Sequence, residues 1–292
     1  MNRWRGYWRR YGNTLGDEIN GRYRAYAIEC RTAYVSEGNE PIDIAAHPLR
    51  GDGLLRVKSA LDASLACSFS DRFSTAIERS EGVSAPASIR DFMVRLNRPL
   101  DVFGQQLLEI FGGRLDEQLR LYFGSYYRIE WLDCYRTYPT GERRASWRWH
   151  MDNVPIECIK IMLHLTGADV ETGATRFLSR EQTNRYHERG YFGIHDDERV
   201  DDLTVFAARH SLPFDQICLD MNAGDVLIFD NNLLHSGVPP QRGLRDVMTF
   251  LLLPNPISWR EHLNRDDIDV LQDDPGGFPY DLSPFNPAVP HE

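Results

Sequence analysis

Two residue pairs in this chain have a His-x-Asp spacing: His150 with Asp152 in "WRWHMDNVP", and His195 with Asp197 in "IHDDERVDD". On an extended strand, residues i and i+2 point to the same face, so an imidazole and a carboxylate at this spacing can share one metal ion. Nine His and 26 Asp in a chain of 292 residues make about one such pair expected by chance. Context separates the two. His195 sits among clustered acids with no strand pattern, which reads as a solvated loop. His150 closes an aromatic-rich run and Asp152 precedes an Asn-x-Pro turn, which places both at a strand end facing a cleft.

The downstream sequence strengthens the first pair. In "NAGDVLIFDNNLLHSGVPPQRGLRDVMTFLLLP" a buried-type strand is followed by a turn, by His235, and then by Arg245 opening another strand. Two His and one carboxylate on one side of an ion leave the opposite positions open to small ligands, the arrangement of non-haem Fe(II) oxygenases. Lys160 is one of only two lysines, with Lys58, and lies in the apolar run "CIKIMLHLT" on the face shared by Cys158, Met162 and His164. It reads equally as a pocket residue or as an edge residue, and His164 reads as a core histidine.

At these residues the sequence resembles the Fe(II)- and 2-oxoglutarate-dependent dioxygenases, particularly the phytanoyl-CoA dioxygenase-like group. The resemblance rests on "WHMD", "ETGATRFLS", "AGDVLIFDNNLLHSG" and Arg245 ten residues past His235, and covers roughly residues 127–253. "DGLLRVKSALDASLACSFSDRF" looks like the family's opening strand and helix. Two departures stand out: Glu171 or Thr172 replaces the usual Asn, and "SREQT" replaces a Pro-Gly-Ser-His segment. The resemblance implies a double-stranded β-helix, or jelly roll, with His150, Asp152 and His235 binding Fe(II) and Arg245 gripping the distal carboxylate of 2-oxoglutarate. A planar guanidinium suits a carboxylate in a sheltered pocket. Arg242 is the rival, but it falls in the "PPQRG" turn. Strand alternation puts Thr249 on the face of Arg245, so Thr249 joins Arg245 and Lys160 as candidate co-substrate contacts. Arg136, Trp149 and Arg176 are candidate substrate contacts, with core packing or solvent exposure as their ordinary alternatives; Trp147 has the same status as Trp149.

The implied reaction consumes O2 and 2-oxoglutarate, releases succinate and CO2, and hydroxylates an unactivated C–H bond of a small molecule such as a natural product, an amino-acid-like compound or a lipid-linked sugar. Related halogenases carry a small residue in place of the Asp ligand, so Asp152 points to hydroxylation or its desaturating and ring-forming variants. Two other classes stay compatible: a jelly-roll metal enzyme that uses no 2-oxoglutarate, and a non-catalytic binding protein that retains the fold.

Several elements must position these residues. "ALDASLACSFSDRFSTAIERS" carries Leu61, Leu65, Phe69, Phe73 and Ile77 four apart, which predicts an amphipathic helix over 60–80. "PLDVFGQQLLEIFG" and "LDEQLRLYFG" predict two more, making residues 1–126 a mainly helical cap. From residue 127 short β-rich runs alternate with Pro, Gly, Asn and Asp turns, the texture of a sandwich or barrel over 127–253. The expected class is α+β, mainly β with a helical N-terminal region, as a single domain over 1–292. A polar insertion at 180–213 stands where a substrate lid belongs, and 254–292 reads as an irregular tail.

A 42% hydrophobic content gives the chain a real core, and the net charge of −10 argues against phosphate-mediated nucleic-acid binding. Five widely spaced cysteines (Cys30, Cys67, Cys134, Cys158, Cys218) with no C-x-x-C pair fit a reducing, cytoplasmic setting. In "MNRWRGYWRRYG" Trp4, Tyr7, Trp8 and Tyr11 share a helical face among arginines. That pattern either packs on its own domain or touches an anionic membrane peripherally through residues 1–12. The second option raises an alternative substrate, the Kdo sugar of lipopolysaccharide.

Overall fold

The computed structural model describes residues 4–85 and 91–265. Among these, seven strands form one antiparallel sheet: β1 (Leu54–Val57), β8 (Val226–Asp230), β5 (Ile159–His164), β10 (Arg245–Asn255), β4 (Tyr126–Thr137), β3 (Met93–Leu96) and β2 (Val83–Ser84), in that order. A second sheet has the order β7 (Ile217–Cys218), β6 (Thr175–Phe177), β9 (His235–Gly237). The helices are α1 (Trp4–Tyr11), α2 (Asp17–Ser36), α3 (Pro48–Asp52), α4 (Ala63–Arg79), α5 (Pro99–Phe103), α6 (Gly113–Phe123), α7 (Arg180–Glu188), α8 (Thr204–His210) and α9 (Trp259–Arg265).

Period-two alternation explains why the large sheet has two unlike faces. From β5, Ile159, Ile161 and Leu163 face outward and pack with Val226, Ile228, Met248 and Phe250 into a core shared with α4 and α6. The intervening Met162 faces inward, meeting Leu227, Phe229 and Val247 of its own sheet and Phe177 of the small sheet. Helices, large sheet and small sheet therefore form three layers, and polar inward residues end up in the space between the sheets.

Helix α4 forms where the four-residue periodicity places it. The Asp62 side chain accepts hydrogen bonds from Ser64 N and Leu65 N at 2.9 and 3.2 Å, satisfying two free N–H groups of the first turn. Phe69 and Phe73 are fully buried, and such burial contributes about 1.5–3 kcal/mol per side chain. Gly104, at φ +71, separates α5 from the 3-10 turn Gln105–Ile110, so the predicted helix over this stretch is broken in two.

Three expectations need correction. The N-terminal third, mainly helical and opening the sheet with β1 as expected, also holds the unanticipated β2 and β3, which complete the other edge of the large sheet. The run "RASWRWHMD" is not a strand: Ala145–Trp147 is a 3-10 turn, and Ala145 and Asn153 both have positive φ, 47° and 55°. Trp149 and His150 make only isolated bridges, to Val200 and His235. The C-terminal stretch begins regularly, since β10 runs to Asn255 and α9 follows; residues 266–292 lie outside the described residues. The polar 180–213 insertion holds α7, α8 and an apolar cluster containing Tyr186, Tyr191, Leu203 and Ala207.

At the N-terminus, Trp8 is buried, edge-on to His187 of α7 at 5.9 Å, while Tyr11 and Arg10 bond to Asp17. Trp8 therefore packs on its own chain and is withdrawn from any membrane surface. Among the described residues no helix is long and apolar enough to cross a membrane.

His187 also stacks on Phe192 at 4.7 Å, and burial pushes its pKa down to about 3. Burial, then the Arg245 charge, does the same to His164, also to about 3. Both rings are neutral when folded but take up protons near pH ~6.5 when unfolded, so stability falls as pH drops from ~6.5 toward 3, by about 1.4 kcal/mol per pH unit for each ring. Urea melts of His187→Phe across this range are expected to show a shallower acid-side decline than wild type. An unchanged slope would refute the role given to His187.

Candidate metal centre

His150, Asp152 and His235 each present one ligand atom, and these atoms lie within 4.8 Å of one another; among the described residues this is the one such cluster. Asp152 Oδ1 stands 3.5 Å from His150 Nε2 and 3.9 Å from His235 Nε2. The imidazoles are oriented from behind: His150 Nδ1 lies 2.7 Å from the Arg148 carbonyl and His235 Nδ1 2.8 Å from the Leu233 carbonyl. A carbonyl accepts only, so each Nδ1 carries the proton and each Nε2 turns a lone pair toward the centre. Burial, then the neighbouring His150, pushes the His235 pKa down to about 3, which keeps that ring neutral. For Asp152, burial opposes ionisation, but the Lys160 ammonium outweighs it and holds the carboxyl well below the usual range.

The two histidines come from distant parts of the chain and are joined directly. His150 N donates to the His235 carbonyl at 3.0 Å, and His235 N to the His150 carbonyl at 2.9 Å. Asp152 N then donates to Asn231 O at 3.0 Å. Beyond it, Asn153 Oδ1 accepts from Thr14 N and Thr14 Oγ1, and the Val154 carbonyl accepts from Asn13 Nδ2 and Asn232 Nδ2. The 180–213 insertion is bonded to the same segment: Tyr191 Oη donates to the Trp149 carbonyl, Met151 N to the Phe192 carbonyl and Trp149 N to the Val200 carbonyl.

The three side chains open into a cavity of about 150 Å³ between the sheets. Arg245 and Thr249 of β10 and Lys160 of β5 also line it. Arg245 is 3% exposed, donates to the Gly173 carbonyl and, at 3.4 Å, to Tyr135 Oη, and its buried Nε has no partner. No carboxylate of the described residues pairs with it, so a buried cation faces the cavity with donor capacity unused. The residues present thus fit both a divalent ion, through two neutral imidazoles and a carboxylate, and an anion, through Arg245.

The other candidates are placed elsewhere. Arg136 faces the helical side of the sheet, where it pairs bidentately with Asp246 at 2.7 and 2.6 Å and donates to Ser70 O and Ser74 Oγ. Its inward neighbours on β4, namely Trp131, Asp133 and Tyr135, are the ones that line the cavity. Arg176 is out of phase in the same way: Thr175 lines the cavity and Phe177 stacks on His235, while Arg176 bonds Ser236 Oγ and Gln216 on the outer face. Trp149 is fully buried against Phe214 under the guanidinium of Arg176, and Trp147 lines the cavity instead. Arg242 is exposed and pairs with Glu171 at 2.6 Å. His195 caps the short 3-10 turn Asp196–Glu198 outside the cluster. Sequence reasoning missed Asp133 and Tyr135, which counting by twos from the strand's inward residues would have found, and Met93 and Arg95, whose strand was not anticipated. Arg95 Nη2 lies 3.3 Å from Asp133 Oδ2.

The fold is that of the non-haem, α-ketoglutarate-dependent iron enzymes. The epimerase SnoN from nogalamycin biosynthesis superposes with a TM-score of 0.51 at 15% identity over 72% of this chain and 81% of SnoN. The carbocyclase SnoK from the same biosynthesis gives 0.50 at 13% identity over 74% and 85%. SnoN has also been seen in complex with Fe3+, α-ketoglutarate and nogalamycin RO (TM-score 0.50, 15% identity, 72% and 82% coverage). At these identities the likeness is one of fold. Residues 139–240, the segment that carries His150, Asp152 and His235, match the phytanoyl-CoA dioxygenase (PhyH) family. No curated protein matches in sequence.

Gly193 packs the insertion directly against the backbone of His150. It sits at φ +63, and a Cβ there would stand 2.5 Å from Trp149 O and 3.0 Å from His150 Cα, with backbone that cannot swing aside. Gly193→Ala is expected to lower stability by about 1–3 kcal/mol and to weaken binding of a divalent ion, read by calorimetric titration with Mn(II). Unchanged Mn(II) affinity would mean that the insertion does not constrain His150.

Proposed function

We propose that this protein is an Fe(II)- and 2-oxoglutarate-dependent dioxygenase that hydroxylates an unactivated C–H bond of a small molecule. The observation that carries this reading is the pairing, in one buried cavity, of a His-Asp-His cluster with an arginine that has no carboxylate partner. His150, Asp152 and His235 hold the metal, and Arg245 takes the distal carboxylate of 2-oxoglutarate in a bidentate grip, with Thr249 and the Tyr135 hydroxyl beside it. Bound iron and co-substrate supply the oxidation itself, releasing succinate and CO2. The chain binds, orients and excludes water. The neutral imidazoles leave the ion most of its charge, Phe177 and Phe229 pack against His235 on its buried side, and the two sheets form a double-stranded β-helix around the site. The 180–213 insertion acts as the lid, and 1–126 supports the core of 127–253.

A natural-product-like substrate suits the cavity, whose walls combine Trp131 and Trp147 with the Arg95–Asp133 pair. The Kdo alternative has less support, because Trp8 is buried. Asp152 fills the position that a halide would need, which favours hydroxylation over halogenation. An enzyme that used no 2-oxoglutarate would leave Arg245 without an anion to bind.

Adding 2-oxoglutarate to the anaerobic Fe(II) protein is expected to give a weak visible charge-transfer band; its absence at saturating co-substrate would overturn the reading. Arg245→Met, which keeps an unbranched apolar stem and loses the charge, is expected to weaken 2-oxoglutarate binding about 10- to 150-fold, the range of about 1.5–3 kcal/mol for a hydrogen bond to a charged group. In a substrate screen that measures succinate, Asp152→Ala with a native circular dichroism spectrum is expected to lose turnover. Succinate formation at the wild-type rate would remove Asp152 from the ligand set.

A further inference from the structure

The two oxygens of Asp152 have different partners. Oδ1 faces the two imidazoles, at 3.5 Å from His150 Nε2 and 3.9 Å from His235 Nε2. Oδ2 accepts a hydrogen bond from Lys160 Nζ at 2.6 Å. Lys160 reaches this oxygen from the inward face of β5, one strand of a rigid central sheet, with its ammonium 5.7 Å from the centre of the Trp131 ring. The pair is about four-fifths buried, at 19% and 20% exposure, so solvent screens it weakly.

We propose that Lys160 is a positioning residue that confines Asp152 to one-oxygen ligation and, by neutralising it, shifts the centre's preference away from the bare metal and toward its anionic co-ligand. This rests on the reading of the site given above. With Lys160 in place, the protein's contribution to the centre is two neutral rings and a carboxylate already balanced by an ammonium. A dication bound there keeps nearly its full charge, so a dianion such as 2-oxoglutarate is drawn strongly. The same ammonium repels the incoming dication and denies it the second carboxylate oxygen. Removing the lysine charge therefore acts with opposite signs on the two binding steps, whereas loss of a merely structural contact weakens both together.

The test uses the full chain loaded with Co(II), with quenching of tryptophan fluorescence as the readout, since Trp131 and Trp147 line the cavity. Lys160→Met is expected to bind Co(II) more tightly than wild type, by up to about tenfold. Its Co(II) form is expected to bind 2-oxoglutarate at least tenfold more weakly. Lys160→Arg, which retains the charge, is expected to restore both constants toward wild type. Lys160→Gln, a smaller change that keeps a donor for Oδ2, gives the same contrast if the Met variant does not fold. Weakening of both steps, or no change in either, overturns the proposal. If the wild-type protein binds Co(II) but not 2-oxoglutarate, the co-substrate reading falls, and the Co(II) constant alone then decides Lys160: tighter binding in the variant supports it and weaker or equal binding overturns it. Failure of the wild-type protein to bind Co(II) overturns both.

Discussion

Two backbone hydrogen bonds, exchanged between His150 and His235 at 3.0 and 2.9 Å, tie together segments 85 positions apart in the chain. Everything in the site is built outward from this exchange. It sets the 4.2 Å separation of the two ring centroids, and it extends the small sheet beyond β9 with a segment that has no strand geometry of its own. The motif segment needs that anchor because its backbone is irregular on both sides, with positive φ at Ala145 and Asn153. Such residues hold their conformation only when surrounding contacts over-determine it, and here Thr14, Asn13, Asn231 and Asn232 supply those contacts.

The electrostatics follow from the same enclosure. Taking a guanidinium out of water costs several kcal/mol unless its donors are satisfied. Arg245 meets this only in part, through Gly173 and Tyr135, and leaves its Nε unbonded. Arg136, close by on the neighbouring strand, is equally buried but fully matched by Asp246. The contrast between two buried arginines on paired strands distinguishes a residue that holds the fold from one held ready for a ligand.

Much of this was legible in the residues themselves. His150, Asp152, His235 and Arg245 could be picked out through the family resemblance, because a His-x-Asp spacing expected about once by chance gained meaning only beside the later His235 and Arg245 motifs. The neighbouring assignments depended on strand phase, and there Arg136 and Arg176 came out on the wrong face: each sits one residue away from an inward position, where a single step reverses the side chain. Trp149 was misjudged for another reason, because its segment is not a strand at all. Helix α2 gave little signal, since its buried face is made of Asn20, Tyr23, Tyr26, Ala27, Cys30 and Tyr34, with no Leu, Ile or Val. The short strands β2 and β3 owe their existence to pairing with β4 rather than to any local preference, and so were invisible to local reading.

The insertion between β6 and β7 does not hang from the sheet edge as an independent flap. Tyr191, Phe192 and Val200 bond to Trp149 and Met151 on either side of His150, and Gly193 rests against the histidine's own backbone. The insertion and the His150 segment are therefore one mechanical unit. Lineages that redraw this loop would be obliged to keep residues 191–200 nearly invariant in length and path, and α7 is tied in as well, because Thr183 Oγ1 accepts from Leu234 N beside His235; the freedom to vary would collect at exposed positions such as Val205 of α8.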